Sequence, residues 1–252
     1  MTVQKTRSSL AALMLALVLA PTAASAADLS AIKGEWLGTL DRRGRPVPVM
    51  LKINPAAAGA PAGELEFGEP DGCRNPITFN GGTGDNFTFT LEPSNGGRCE
   101  AYSLGRMSLT VMADGDLSLA VTQADHKPGP AATLSLATKA PVSKAVIGKW
   151  SGSYVGRGSV VPLTLALNSV RPGQPSGTLI FAGDDDCSNP LEFSGMLGDG
   201  SYVFTPFASD GGRCELDVFG TLTVRPGADG VTATLVQRNG VKRFDAVLSG
   251  AK

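Results

Sequence analysis

Apolar residues along this chain recur with a period of two. In Val47-Pro48-Val49-Met50-Leu51-Lys52-Ile53 the odd positions are aliphatic, and Val161-Pro162-Leu163-Thr164-Leu165-Ala166-Leu167 repeats the arrangement. Phe87, Phe89 and Leu91 alternate with Thr88 and Thr90, and Met107, Leu109 and Val111 alternate with Ser108 and Thr110. Leu117, Leu119 and Val121 then follow Asp114-Gly115-Asp116. Successive side chains of a strand point to opposite faces, so the alternation predicts antiparallel strands with one dry and one wet face. No amphipathic helical period is found beyond the N-terminus. Asn239-Gly240, between strands over 232–237 and 241–248, predicts a two-residue type I′ hairpin, and Gly84-Asp85 and Gly198-Asp199 mark further turns. Pro48 and Pro162 lack the N–H that a ladder needs, which predicts that their strands sit at an edge or begin there.

The pattern is written twice. At a shift of 114, Gly34-Glu35-Trp36-Leu37-Gly38 falls on Gly148-Lys149-Trp150-Ser151-Gly152, and Cys73-Arg74-Asn75-Pro76 on Cys187-Ser188-Asn189-Pro190. One inserted residue later, Gly96-Gly97-Arg98-Cys99-Glu100 matches Gly211-Gly212-Arg213-Cys214-Glu215. A period this long suits a folding domain rather than a solenoid repeat. The expected organisation is a domain over 28–138, a linker over 139–145 and a second domain over 146–252. With about eight or nine short strands per unit, the expected fold is all-β, two tandem antiparallel meander β-barrels related by internal duplication. Closure would remove the exposed edges, and inward Leu, Val, Ile and Phe predict filled interiors.

Composition adds a compartment. Lys5 and Arg7, the apolar run over 10–20 and Ala24-Ser25-Ala26 read as a secretory signal peptide over 1–26, which predicts a periplasmic or secreted protein of bacterial type. No membrane span is expected after its removal. The net charge of −1, with 22 basic and 23 acidic residues, argues against a nucleic-acid partner. A single outer-membrane barrel made from both halves would need longer strands and aromatic girdles, whereas aromatic residues are only 6% of the chain.

Gly34-x-Trp36 and Gly148-x-Trp150, each opening a unit of up-and-down strands, resemble the start of calycin barrels, the lipocalin and avidin group. The resemblance implies a Trp on the first strand that plugs the closed end. It also implies an Arg from the last strand packed on that Trp, for which Arg243 is available in the second unit. No Arg occupies 131–137 in the first.

Four cysteines, two per unit, predict disulfides Cys73–Cys99 and Cys187–Cys214, the pairing that keeps each unit self-contained. With two Cys per unit and no His beside them, zinc is not expected. The disulfides should draw together two polar loops, making Asp71, Asn75, Arg98 and Glu100, with Asp185, Asn189, Arg213 and Glu215, the candidate partner-binding residues. A guanidinium fork there suits a carboxylate, a phosphate or sugar hydroxyls. The competing reading is turn chemistry, with each Arg paired to a local carboxylate. Asp184-Asp185-Asp186 is the densest acidic cluster, and a solvated loop is expected there rather than Ca²⁺.

No nucleophile–base pair, phosphate loop or zinc-protease motif is present in the sequence, and neither cofactor nor metal is expected. His126, the single histidine, falls in what reads as a Pro/Gly-rich loop extension over 125–130. A two-carboxylate hydrolase would have Glu66, Glu100, Glu192 and Glu215 to draw on. The leading expectation is an exported, non-enzymatic binding protein for a protein or glycan of the cell envelope. The alternatives are an inhibitor of a secreted hydrolase and a small-ligand carrier of calycin type.

Overall fold

In the computed structural model of the protein, residues 28–139, 144–156, 158–183, 186–197 and 199–250 are described. The expected leader over 1–26 lies outside them, as do 140–143 of the expected linker. Two closed eight-stranded antiparallel barrels follow one another. The first comprises β1 (Gly34–Arg42), β2 (Arg45–Ile53), β3 (Pro61–Phe67), β4 (Cys73–Thr83), β5 (Asn86–Leu91), β6 (Arg106–Val111), β7 (Leu117–Thr122) and β8 (Pro128–Leu136). The second comprises β9 (Gly148–Gly156), β10 (Ser159–Leu167), β11 (Pro175–Phe181), β12 (Cys187–Met196), β13 (Tyr202–Pro206), β14 (Thr221–Pro226), β15 (Gly230–Val236) and β16 (Lys242–Gly250). Each is a meander closed by its last strand on its first, β8 on β1 and β16 on β9. The two tandem all-β barrels expected from the period-two pattern are therefore what the chain forms. A single barrel built from both halves is not formed, and among the described residues no helix is long and apolar enough to cross a membrane.

The dry face of each strand points inward and fills its barrel. Leu51, Leu65, Phe67 and Phe89 in the first, and Leu165, Leu179, Phe181 and Phe204 in the second, are at most 1% exposed. Each such side chain contributes about 1.5–3 kcal/mol by leaving water. Trp36 and Trp150 lie at one end, where each indole N–H donates to a carbonyl just upstream, Ile32 at 2.9 Å and Val146 at 2.8 Å. Because the strands alternate in direction, the β1–β2, β3–β4, β5–β6 and β7–β8 connections all gather at the opposite end. We call that end the mouth, and its counterpart in the second barrel is built the same way.

Backbone devices are duplicated with the sequence. A bulge at Pro61/Gly63 recurs at Pro175/Gly177, and one at Phe79/Gly81 recurs at Phe193/Gly195. Gly63 and Gly177 are obligatory, since φ is +137° and +147° and a Cβ on either would lie 1.9 Å from a carbonyl oxygen of the neighbouring strand. The inserted residue that shifts the repeat is also located. The β4–β5 hairpin turns through Gly84-Asp85 between paired Thr83 and Asn86, whereas beyond β12 the hydrogen bond is from Leu197 N–H to Ser201 at 2.9 Å, one position farther along the chain.

Three local expectations change. Pro48 and Pro162 are not on edge strands, since a closed barrel has none. Each sits where its strand outruns the next, and its carbonyl accepts from the connection beyond that strand, from Gly68 at 3.0 Å and Ala182 at 3.0 Å. Asn239-Gly240 belongs to a three-residue loop, with Gln237 N–H donating to Val241 at 2.8 Å and Gly240 left-handed at φ +85°. The His126 segment is no extension. Gln123 N–H donates to Lys127 at 2.9 Å in the same turn, His126 takes the place of Gly240 with φ +66°, and β8 starts at Pro128.

The barrels meet along one seam. The outer face of the β1–β2 hairpin lies on β12, where Thr39 Oγ1 donates to the Ser194 carbonyl at 3.3 Å. Arg45 Nη2 reaches across to the carbonyls of Gly220 at 2.9 Å and Phe219 at 3.3 Å. The Glu192 carboxylate accepts from Glu69 N–H at 3.0 Å. Pro46 and Pro48 on the wet face of β2 are consequently buried, while the repeat-equivalent Pro162 stays exposed.

Candidate functional site

The β1–β2 hairpin, the β3–β4 connection and the short 3₁₀ turn Gly97–Tyr102 converge at the mouth of the first barrel. The Cys73–Cys99 disulfide ties the start of β4 to that turn, and Cys187–Cys214 does the same in the second barrel. Both expected pairings are present, and such bonds persist in oxidising compartments. Between these elements lies a cavity of about 710 Å³ to which Arg42, Arg43, Arg45 and Arg98 contribute, against the carboxylates of Asp41 and Asp71.

Asp71 is the pivot. Its side chain is only 1% exposed and is gripped by Arg42, with Nη1 2.9 Å from Oδ1 and 2.7 Å from Oδ2, and by Arg98 Nε at 3.4 Å. Burial pushes the Asp71 carboxyl above its ordinary range, opposed by the guanidinium groups of Arg42, Arg98 and Arg45. Arg42 also donates to the Tyr102 hydroxyl at 3.3 Å. Beside this cavity the buried Arg45 Nε has no hydrogen-bond partner, while Asp71 Oδ2 is met by the Arg42 ion pair. An unpartnered buried donor of this kind is costly.

The second mouth uses the same three residue types from different positions. Arg243 on β16 contacts Asp217, whose side chain is fully buried, and donates to the Tyr154 hydroxyl at 3.3 Å. Tyr154 stands where the first repeat has Leu40, and Asp217 where it has Tyr102. Arg243 and Phe244 stand where it has Gly129 and Pro130. The Arg243 guanidinium lies 3.9 Å over the Phe181 ring, and Tyr154 and Phe244 stack 5.2 Å apart beside it. These side chains plug the mouth and leave a cavity of about 340 Å³. Arg243 therefore does not pack on Trp150, as the calycin pattern implies. Trp150 is paired with Gly250 at the far end of β16, whereas Arg243 begins that strand.

The candidate residues separate accordingly. Asp71 and Arg98 come together on the first cavity. Asn75 and Asn189 do not join them, because both point into the barrel, fully buried, and brace backbone. Asn75 donates to the Glu92 carbonyl at 2.9 Å, and Asn189 to Ala208 at 2.8 Å and Cys214 at 3.0 Å. Glu100 is exposed and accepts from Ser94 Oγ at 2.9 Å, away from the cavity. Arg213 lines the smaller second cavity, and Glu215 a separate groove with Phe219 and Arg238. Asp184 and Asp185 lie outside the described residues, and among the described residues no group of three metal-ligating side chains forms.

Of Glu66, Glu100, Glu192 and Glu215, Glu192 lies at the seam and feels the charge of Glu66, while Glu100 and Glu215 lie elsewhere. Burial raises Glu192 to about 7, helped by the nearby charges of Glu69 and Glu66. The Glu192 carboxylate is covered by Gly68 and Glu69 of the first barrel, which makes it a docking group. The residues missed from sequence are Arg42, Arg43, Arg45 and Tyr102. Their signal lies in the differences between repeats, since Arg42 answers to Gly156 and Arg45 to Ser159. No family model matches the chain, and no curated protein or solved structure shows significant similarity to it.

Proposed function

We propose that this is an exported, non-enzymatic binding protein of the cell envelope, and that the first barrel takes an anionic group of an acidic glycan into its mouth. The observation that carries this reading is the convergence of four arginines on one open cavity around a buried aspartate. Guanidinium forks match carboxylate and sulfate oxygens, and the exposed Arg43 and Arg98 on the cavity present such donors. Both interiors are packed with aliphatic and aromatic side chains, so the mouth is favoured over the lumen.

Calorimetric titration with uronate-containing, sulfated and neutral oligosaccharides of equal length tests this. Acidic chains should bind, more weakly as salt rises, and neutral ones should not. Arg98 is 67% exposed, so Arg98→Ala should leave the fold intact and weaken binding by about tenfold, the worth of one charge-assisted hydrogen bond. Equal binding of neutral chains, or an unaffected Arg98→Ala protein, would overturn the assignment.

A further inference from the structure

The seam joins two non-equivalent faces of the duplicated unit. The first repeat presents the outer face of its first hairpin, with Thr39, Arg45, Pro46 and Pro48, and the second presents β12, β13 and the approach to β14, with Ser194, Gly195, Thr205 and Gly220. A contact of this kind is heterologous, and it leaves one copy of each face unused.

Both unused faces are open. On the second barrel, Val155 and Val160 are paired across the β9–β10 hairpin and are 74% and 68% exposed. They occupy the positions of Asp41 and Pro46, and Val160 thus corresponds to a residue buried in the seam. Exposed Pro162 and Ile180 extend the same face. On the first barrel, the counterparts of Ser194, Gly195 and Phe219 are Asn80, Gly81 and Leu104. Asn80 is exposed, Gly81 has open space where a Cβ would stand, and Leu104 is 65% exposed. In the seam the Gly195 position is filled by Thr39 and Pro46, whereas the matching position at Gly81 is open and leaves room for Val160.

We infer that the open hairpin face of the second barrel docks on the β4 face of the first barrel of another copy of this chain, repeating the seam between molecules. The occupant is a second copy because the chain already forms this contact with itself, and because the exposed Val160 stands where Pro46 is buried in the seam. Ser159 stands in place of Arg45, so the contact between molecules loses the three seam hydrogen bonds made by the guanidinium and rests on apolar burial. It also lacks the effective concentration that tethering gives the seam within one chain, so association should depend on protein concentration. Repeated head to tail, it yields rings or open chains.

Sedimentation velocity of the purified protein over about a hundredfold range of concentration provides the test. The unaltered protein should grow from monomer into dimers and larger species. Val160→Glu on one face and Leu104→Glu on the other should each weaken association by more than about tenfold, with far-UV dichroism unchanged. Asn80→Arg serves as a second block of the β4 face. The decisive result comes from mixing, since Val160→Glu and Leu104→Glu proteins together retain one intact pair of faces and should form dimers but nothing larger. A protein that stays monomeric throughout overturns the inference. Association lost in Val160→Glu but kept in both Leu104→Glu and Asn80→Arg would instead indicate pairing of two valine faces, and also overturns it.

Discussion

The two mouths show how a duplicated frame diverges. Strand count, bulge glycines, disulfide and the Trp-capped end are common to both barrels, and each mouth contains an arginine, a buried aspartate and a tyrosine. In the second barrel the arginine comes from β16 and buries itself over Phe181, so the cluster closes the barrel. In the first, Gly129-Pro130 replaces Arg243-Phe244, the arginine comes from the rim instead, and the same chemistry surrounds an open cavity. A buried ion pair acts as a plug in one copy and as the floor of a recess in the other. What decides between them is the bulk of two residues on the last strand.

The sharpest way to break the comparison is to remove each arginine. Arg243→Ala leaves Asp217 buried without its cation, and should lower unfolding free energy by about 3–5 kcal/mol in denaturant titration. Arg42→Ala should lower it by about 1–2 kcal/mol, because Arg98 still faces Asp71 and the cavity admits water. Equal losses would mean that both clusters are plugs.

The same contrast holds on the outer faces. Glu192 of the second repeat answers to Thr78 of the first, and only Glu192 is covered by the other barrel. Its folded-state value of about 7 lies above the ordinary 4.5, so the folded state holds a proton that the unfolded chain releases. That contribution is fully present below about pH 4.5 and is lost as pH rises through 7, amounting to about 2–3 kcal/mol. Glu69 and Glu66, also raised by burial, reinforce the slope, while Arg45 beside Glu69 opposes it. Unfolding monitored from pH 5 to pH 8 should show declining stability. Glu192→Gln, which can still accept from Glu69 N–H, should flatten most of the decline.

The frame was legible because its causes are local. Alternation along 47–53 and 161–167 dictates strands, the matched cysteines dictate the staples, and the matched Gly-x-Trp segments mark where each barrel opens. The mouth was less so, because its partners come from connections far apart in the chain. Arg42 and Asp71 are neighbours only once the barrel has closed. Matching residues such as Asn75 and Asn189 drew notice as a site, yet they match because both brace the same backbone. Positions where the copies disagree, such as Tyr102 against Asp217, carry the individual chemistry. The seam left one sequence trace, in that Pro46 and Pro48 crowd the wet side of β2 where β10 keeps a plain alternation.

The smallest expected difference lies in the β7–β8 and β15–β16 turns, which share one hydrogen-bond pattern but place His126 and Gly240 at the left-handed position. An L-residue with a Cβ pays about 1–2 kcal/mol there, and glycine returns about half of that by having more freedom to lose on folding. His126→Gly should therefore stabilise the protein by somewhat under 1 kcal/mol, and Gly240→His should destabilise it by a similar amount, both read from shifts in the denaturation midpoint. Neither change should alter glycan titrations, since neither residue lines the arginine cavity. Loss of binding in His126→Gly would give the histidine a part in recognition, and would move the site from the rim of β1 toward the β7–β8 turn.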